Sequence, residues 1–183
     1  VPIVKKTGLM ANLLIVTGPP GAGKSTVASL LADRLDQSAL VRGDDFFAHL
    51  RRGAIDPWLP AAEEQNQVVT RAAAAAAGQF VEGGLSTVYD GVLGPWHLPL
   101  FVEASGLATV DYVVLLPPLD MALERVATRT GHGFTDADAA AHMHAEFSRA
   151  ELDPRHLLVG DRSPADTLDA IEDARSSLRL RWS

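Results

Sequence analysis

A chain of 183 residues without a cysteine can form neither disulfides nor thiol-ligated metal centres. Its length predicts a single domain (1–183) with a sizeable core. Its net charge of −7 speaks against the broad basic face that nucleic-acid binding needs. No apolar run approaches the roughly 18–20 residues that cross a bilayer, and residues 1–10 lack a signal peptide's apolar core, so they read as a short leader of a cytoplasmic protein.

The first element falls at Asn12 to Thr17, a short apolar, β-branched run with the character of a buried strand. Gly18-Pro19-Pro20-Gly21-Ala22-Gly23-Lys24-Ser25-Thr26 follows and fits G-x-x-x-x-G-K-[ST] without a gap. From Thr26 to Leu35, the residues Val27, Leu30, Leu31 and Leu35 recur at helical spacing, so the motif lies on a strand-to-helix turn. Ser38 to Arg42 predicts a second strand ending at Gly43-Asp44-Asp45, and Phe46 to Pro60 reads as a linker rich in Pro, Gly and Trp. A long helix is expected from Ala61 to Glu82, stopped by Gly83-Gly84. Its Ala72–Ala77 run suits close packing on a sheet.

Leu85 to Tyr89 predicts a third strand with the carboxylate of Asp90 at its end, and Pro99 to Ser105 a short helix. Asp111 to Leu116 is a fourth strand closed by Pro117-Pro118. Helices are expected over Leu119–Thr130, with Leu119, Ala122, Leu123 and Val126 on one face, and over Thr135–Ala150, capped by Thr135 or Asp136. His156 to Val159 gives a fifth strand, and Ser163 or Pro164 opens a last helix toward Leu180.

This alternation predicts the α/β class: a three-layer P-loop fold with a five-stranded parallel sheet flanked by helices and a small lid near residues 129–150. Ligands of such sheets bind beyond the carboxyl ends of the strands, where the P-loop, Asp44-Asp45 and Asp90 converge. Glycine at 18, 21 and 23 lets several backbone N–H groups face one point, and the helix that follows adds its positive end. Gly18, Gly21, Ala22, Gly23, Lys24, Ser25 and Thr26 are therefore assigned to ATP, with Lys24 reaching the β- and γ-phosphates and Ser25 offering its hydroxyl to Mg²⁺.

The P-loop, the Gly43-Asp44 pair after the second strand, and Arg125-Val126-Ala127-Thr128-Arg129-Thr130-Gly131-His132 together resemble the small P-loop kinases. Gluconate kinase, shikimate kinase and chloramphenicol phosphotransferase are the nearest likenesses, within the AAA-type P-loop kinases. The resemblance implies a lid whose arginines close over the transferred phosphate, here Arg125 and Arg129. It also implies that Arg162, after the last strand, stacks on adenine. The chain departs from the gluconate kinases after the lid, where His144-Ala145-Glu146-Phe147-Ser148-Arg149-Ala150-Glu151 replaces a Ser-Gln-Phe-x-x-Leu-Glu type segment. Asp90-Gly91-Val92-Leu93-Gly94-Pro95-Trp96-His97 also differs from that family's pattern.

Phosphoryl transfer to a hydroxyl asks for a base, a metal and positive charge on the γ-phosphate. The resemblance makes Asp44 the base. Asp45 is assigned to the acceptor or, through water, to Mg²⁺; the plainer alternative is that the pair caps a turn. Asp90 is a second carboxylate near the metal and acceptor, or the first residue of an Asp-Gly turn. Arg125 and Arg129, four apart, share a helix face and would stabilise the transferring charge, unless they pair with Glu124 or Asp120. His132 is a mobile loop histidine that could touch phosphate, and His142 and His144 read as surface or lid residues. Phe46, Phe47, Trp58, Trp96 and His97 are candidates to line the acceptor crevice, with a core role the default for Phe46 and Phe47. Arg42, Arg51 and Arg52 would favour an anionic acceptor.

The leading expectation is an ATP- and Mg²⁺-dependent kinase, monomeric or homodimeric, acting on a hydroxyl of a sugar acid, sugar or antibiotic-like alcohol. No nucleic acid or membrane partner is expected. The alternative is a P-loop NTPase or a nucleotide-binding protein without a small-molecule acceptor.

Overall fold

A computed structural model describes residues 11–128 and 134–182. Strand β1 (Leu13–Thr17) is buried at every position. It alternates its side chains between two cores: Leu13 and Ile15 join one, Leu14 and Val16 the other. That pattern needs helices on both faces of the sheet, which is what an uninterrupted apolar parallel strand implies. The sheet runs β2 (Ser38–Arg42), β3 (Ser86–Asp90), β1, β4 (Val110–Leu116), β5 (Leu157–Val159), with all five strands parallel.

On one face lie α1 (Lys24–Asp33) and α7 (Pro164–Ser176), which pack Val27, Ala28, Leu31, Leu168, Ile171 and Ala174 onto Leu14, Val16, Val113 and Leu115. On the other lie α3 (Glu63–Glu82) and α4 (Leu98–Ser105), with Ala73, Ala74, Ala77 and Phe101 against Leu13, Ile15, Tyr89 and Tyr112. The alanine stripe of α3 thus serves close packing, as its composition suggests. α5 (Leu119–Thr128) follows β4, and α6 (Ala137–Arg149) packs on α5. Asp136 caps α6, its carboxylate accepting from the Ala139 N–H at 2.9 Å.

Four details differ from the sequence reading. Gly43–Ala48 is a short helix, α2, where a linker was expected from Phe46; Asp44 and Asp45 occupy its first turn, where carboxylates suit the positive helix end. Leu30 and Leu119, which share the helical spacing of Val27, Leu31, Ala122 and Val126, are 40% exposed while those four are buried. The last helix ends at Ser176, and the chain turns through Leu178 (φ 57°) into β6 (Arg181–Trp182). β6 pairs antiparallel with β4 and extends the five parallel strands to a six-stranded sheet.

At the edge away from the P-loop, the buried carboxylate of Asp111 accepts hydrogen bonds from Asn12 (2.9 Å) and Arg175 (3.3 Å), which ties β4 to the start of β1 and to α7. No helix among the described residues is long and apolar enough to cross a membrane.

Candidate active site

β1 is the central strand, with β3 on one side and β4 on the other, so the loop leaving it enters the crevice between their carboxyl ends. Gly21 (φ 80°) and Gly23 (φ 88°) take left-handed conformations there, and Gly23 is the N-cap of α1 with no side-chain cap on the helix. The first N–H groups of α1 are thus left for an anion, the property that fits a nucleotide's phosphates. Lys24 donates from Nζ to the Pro19 carbonyl at 2.9 Å, which holds the ammonium at the mouth of the loop. Gly21, Gly23, Lys24, Ser25, Thr26 and Arg125 line one cavity of about 190 Å³.

In parallel register, Asp90 lies beside Val16 of β1 and beside Arg42 of β2. This brings its side chain, 6% exposed, next to the P-loop. Burial pushes the Asp90 carboxyl above the ordinary carboxylate range, while the Lys24 charge and a hydrogen bond from Ser25 pull it back down. The carboxylate meeting Ser25 is therefore Asp90. Asp45, paired with Ser25 in the sequence reading as a metal group, is exposed on α2. A small hard cation bound by one hydroxyl, one carboxylate through water and the nucleotide's own oxygens is what Mg²⁺ requires, and Ser25 with Asp90 fits that donor set.

Arg125 reaches the loop from α5, its Nη1 donating to the Gly21 carbonyl at 3.4 Å. Its carboxylate partner is Asp161 at 3.9 Å, not Glu124 or Asp120. Arg125 also borders a second, small depression, shared with Ala22, Leu116, Pro117, Arg162 and Thr167, so Arg162 stands close to the loop. Arg129 and His132 lie outside the described residues.

The residues expected to line an acceptor crevice lie on α2, the loop after β3 and the segment before α3. Thr17 fixes that loop: its Oγ1 donates to the Leu93 carbonyl (3.1 Å) and accepts from the Leu93 N–H (2.7 Å), while the Tyr112 hydroxyl donates to the same carbonyl (2.9 Å). Beyond Leu93, Trp96 is 47% exposed and tilts on Phe147 of α6 (5.4 Å). His97 contacts Glu63 at 3.1 Å and so serves the α3–α4 junction. Trp58 stacks edge-on to Phe134 at 5.1 Å, on a segment whose Ile55 backbone is clipped by Gln65 through two hydrogen bonds of 2.8 and 2.7 Å. Phe46 packs partly into the core, Phe47 is half-buried, and Arg42, Arg51 and Arg52 are exposed.

Sequence reasoning missed two residues here. Tyr89 is 4% exposed and places its hydroxyl under both Gly43 and Gly91: a Cβ at either would stand 2.5 or 2.6 Å from the phenol oxygen. The signal was available, because Gly43-Asp44 and Asp90-Gly91 put a glycine beside each carboxylate. His144, read as a surface or lid residue, is half-buried and donates from Nε2 to the Pro117 carbonyl at 2.8 Å, tying α6 to the segment after β4.

Residues 13–152 match the AAA domain family model. An adenylate kinase of Haloarcula marismortui is 27% identical over 173 residues, covering 92% of this chain and 76% of that protein. Among solved structures, a sugar kinase from Janibacter sp. HTCC2649 superposes with a TM-score of 0.69 at 24% identity, covering 93% of this chain and 95% of that one. A gluconokinase from Sinorhizobium meliloti 1021 gives 0.64 at 18% identity, covering 94% and 95%. The chain belongs to the AAA domain family, and its fold is that of the small P-loop kinases.

Proposed function

We propose that the protein is a Mg²⁺- and ATP-dependent phosphotransferase that moves the γ-phosphate of ATP to a hydroxyl of a small molecule. Lys24, the N–H groups at the start of α1 and Arg125 would hold the phosphates; Ser25 and Asp90 would hold the metal, which neutralises charge on the β- and γ-oxygens. Asp44, at the open start of α2, would take the proton of the attacking hydroxyl. Arg162 would stack on the base.

The observation that supports this reading is the pair of carboxylates, Asp44 and Asp90: Asp90 pairs in register with Val16, which leads into the P-loop, and with Arg42, two residues before Asp44. An alcohol acceptor must lose a proton and gains from a nearby carboxylate. A phosphate acceptor is already anionic, and each carboxylate beside it repels it. The relative described as an adenylate kinase is the observation on the other side, and Arg42, Arg51 and Arg52 would be the cations such an acceptor needs.

The test is ADP release with ATP, Mg²⁺ and a panel of sugars, sugar acids, hydroxylated antibiotics and nucleoside monophosphates. ADP release that depends on a hydroxyl compound and is lost in Asp44→Asn, with ATP binding retained, supports the reading. Dependence on a nucleoside monophosphate alone, or indifference to every acceptor, overturns it.

A further inference from the structure

Asp161 brings a negative charge to the rim of a cavity suited to polyphosphate. It follows Gly160, which takes φ 98° and donates its N–H to the Leu116 carbonyl at 3.2 Å. It precedes the cap of α7, where the Ser163 hydroxyl accepts from the Asp166 N–H at 3.1 Å. The loop that carries Asp161 is thus pinned at one end to β4 and at the other to α7. From this fixed place its carboxylate faces Arg125 Nη2 at 3.9 Å.

Arg125 lies three residues beyond Ala122, whose backbone backs onto Gly21 so closely that no Cβ fits between them. Its guanidinium lines the cavity with Gly21, Gly23, Lys24, Ser25 and Thr26, and Nη1 reaches the Gly21 carbonyl at 3.4 Å. Both of its contacts are long. At 3.9 Å the Asp161 carboxylate attracts the guanidinium without a hydrogen bond, so N–H donors stay available for a phosphate. A half-exposed arginine otherwise keeps its rotamer freedom, and ordering it on binding lowers affinity. A carboxylate on a pinned loop reduces that cost before the nucleotide arrives.

We propose that Asp161 is a positioning residue: its carboxylate holds the Arg125 guanidinium over the P-loop, where it meets the phosphates. This rests on the reading of Arg125 as a phosphate ligand and is independent of the acceptor. Asp161 acts on a bound polyanion in two ways of opposite sign. Its own charge repels the phosphates, so a carboxylate with no hold on Arg125 weakens binding, and its removal tightens binding. That repulsion is small, because Asp161 is largely exposed to water and, among the described residues, stands outside the lining of the cavity. A carboxylate that acts through Arg125 tightens binding instead, and its removal is harmful only while Arg125 is present.

The experiment is a double-mutant cycle on Asp161→Asn and Arg125→Ala, read by calorimetric titration with the Mg²⁺ complex of AMP-PNP, so that no turnover is needed. In the wild-type background Asp161→Asn is expected to raise the Kd about threefold, although it takes a negative charge away from a polyanion's site. Asp161→Glu, which keeps the charge on a longer stem, is expected to retain wild-type affinity. In Arg125→Ala, the change Asp161→Asn is expected to leave the Kd unchanged or to lower it. Unchanged or tighter binding by Asp161→Asn, an equal rise in both backgrounds, or a loss that Asp161→Glu shares would each overturn the proposal. Wild-type affinity in Arg125→Ala would overturn it together with the reading of Arg125. A negative acceptor panel beside a non-additive cycle would instead count against the alcohol acceptor and leave the Asp161 assignment standing.

Discussion

Gly21→Ala separates the two demands that the P-loop makes on its sequence. Gly21 has φ 80°, a conformation in which a Cβ costs roughly 1–2 kcal/mol. A Cβ there would also stand only 2.8 Å from the Ala122 carbonyl carbon and 3.0 Å from its Cα, which are backbone atoms of α5 and cannot rotate away. Forcing that overlap adds about 1–3 kcal/mol, by analogy with overpacked cores, for a total of about 2–5 kcal/mol. Gly53→Ala is the control: φ is 70° and nothing lies within 4 Å, so only the conformational cost of about 1–2 kcal/mol applies. The assay is urea unfolding of both variants, with ATP affinity measured by calorimetry. Arg125 is three residues beyond Ala122 on α5 and bonds the Gly21 carbonyl, so displacing α5 also carries Arg125 from the loop. Gly21→Ala is expected to lose stability beyond Gly53→Ala by about 1–3 kcal/mol and to weaken ATP binding about tenfold or more. Equal losses in the two variants, with ATP affinity intact, would refute the close approach of α5 as the reason for this glycine.

Asp90→Asn is expected to raise the unfolding midpoint at neutral pH while lowering turnover about tenfold or more, because burial disfavours the charge that the metal and Ser25 require. The sign follows from the raised folded-state pKa: Asp90's favourable contribution is complete below the unfolded carboxylate range and lost as pH rises, so the variant's advantage disappears in acid. Arg175→Ala strips the main cation from the buried Asp111 and should cost about 2–3 kcal/mol in urea unfolding, below a fully buried pair because Asn12 keeps its bond. His156, fully buried, bonds the Tyr112 carbonyl through Nδ1 and accepts from Arg155, and burial holds its imidazole below the ordinary histidine range. Its contribution is present above the unfolded value near 6.5 and lost as pH falls through the folded value, so wild type should lose stability from about pH 6.5 downward. A His156→Gln variant lacking that acid limb is the expected comparison, and an unchanged limb would count against His156 as its source.

The parts of this molecule legible in its sequence are those fixed by local pattern. The apolar run before Gly18, the P-loop spacing and the alternation of strands and helices are all short-range, and they place the crevice. α2 was hidden because Gly43-Asp44-Asp45 carries turn residues, while six residues are too few for a helical period to show. β6 was hidden because a two-residue strand exists only through its partner, β4. The same reason explains Arg125: its partner Asp161 is distant in sequence, so mere sequence proximity offered Glu124 and Asp120 instead. Asp90 was legible as a strand-end carboxylate, but its bond to Ser25 depends on the β1–β3 register. Tyr89 looked like core because nine-tenths of it is core; only the hydroxyl, between two glycines, marks it otherwise.

The central claim is that the γ-phosphate passes to an alcohol. Phosphorus NMR of the reaction with the compound that stimulates ADP release tests it most directly. The account predicts a single phosphate monoester resonance, without phosphorus–phosphorus coupling, whose formation is lost in Asp44→Asn. A coupled pair of resonances from a new phosphoanhydride, or inorganic phosphate as the sole product, would contradict it.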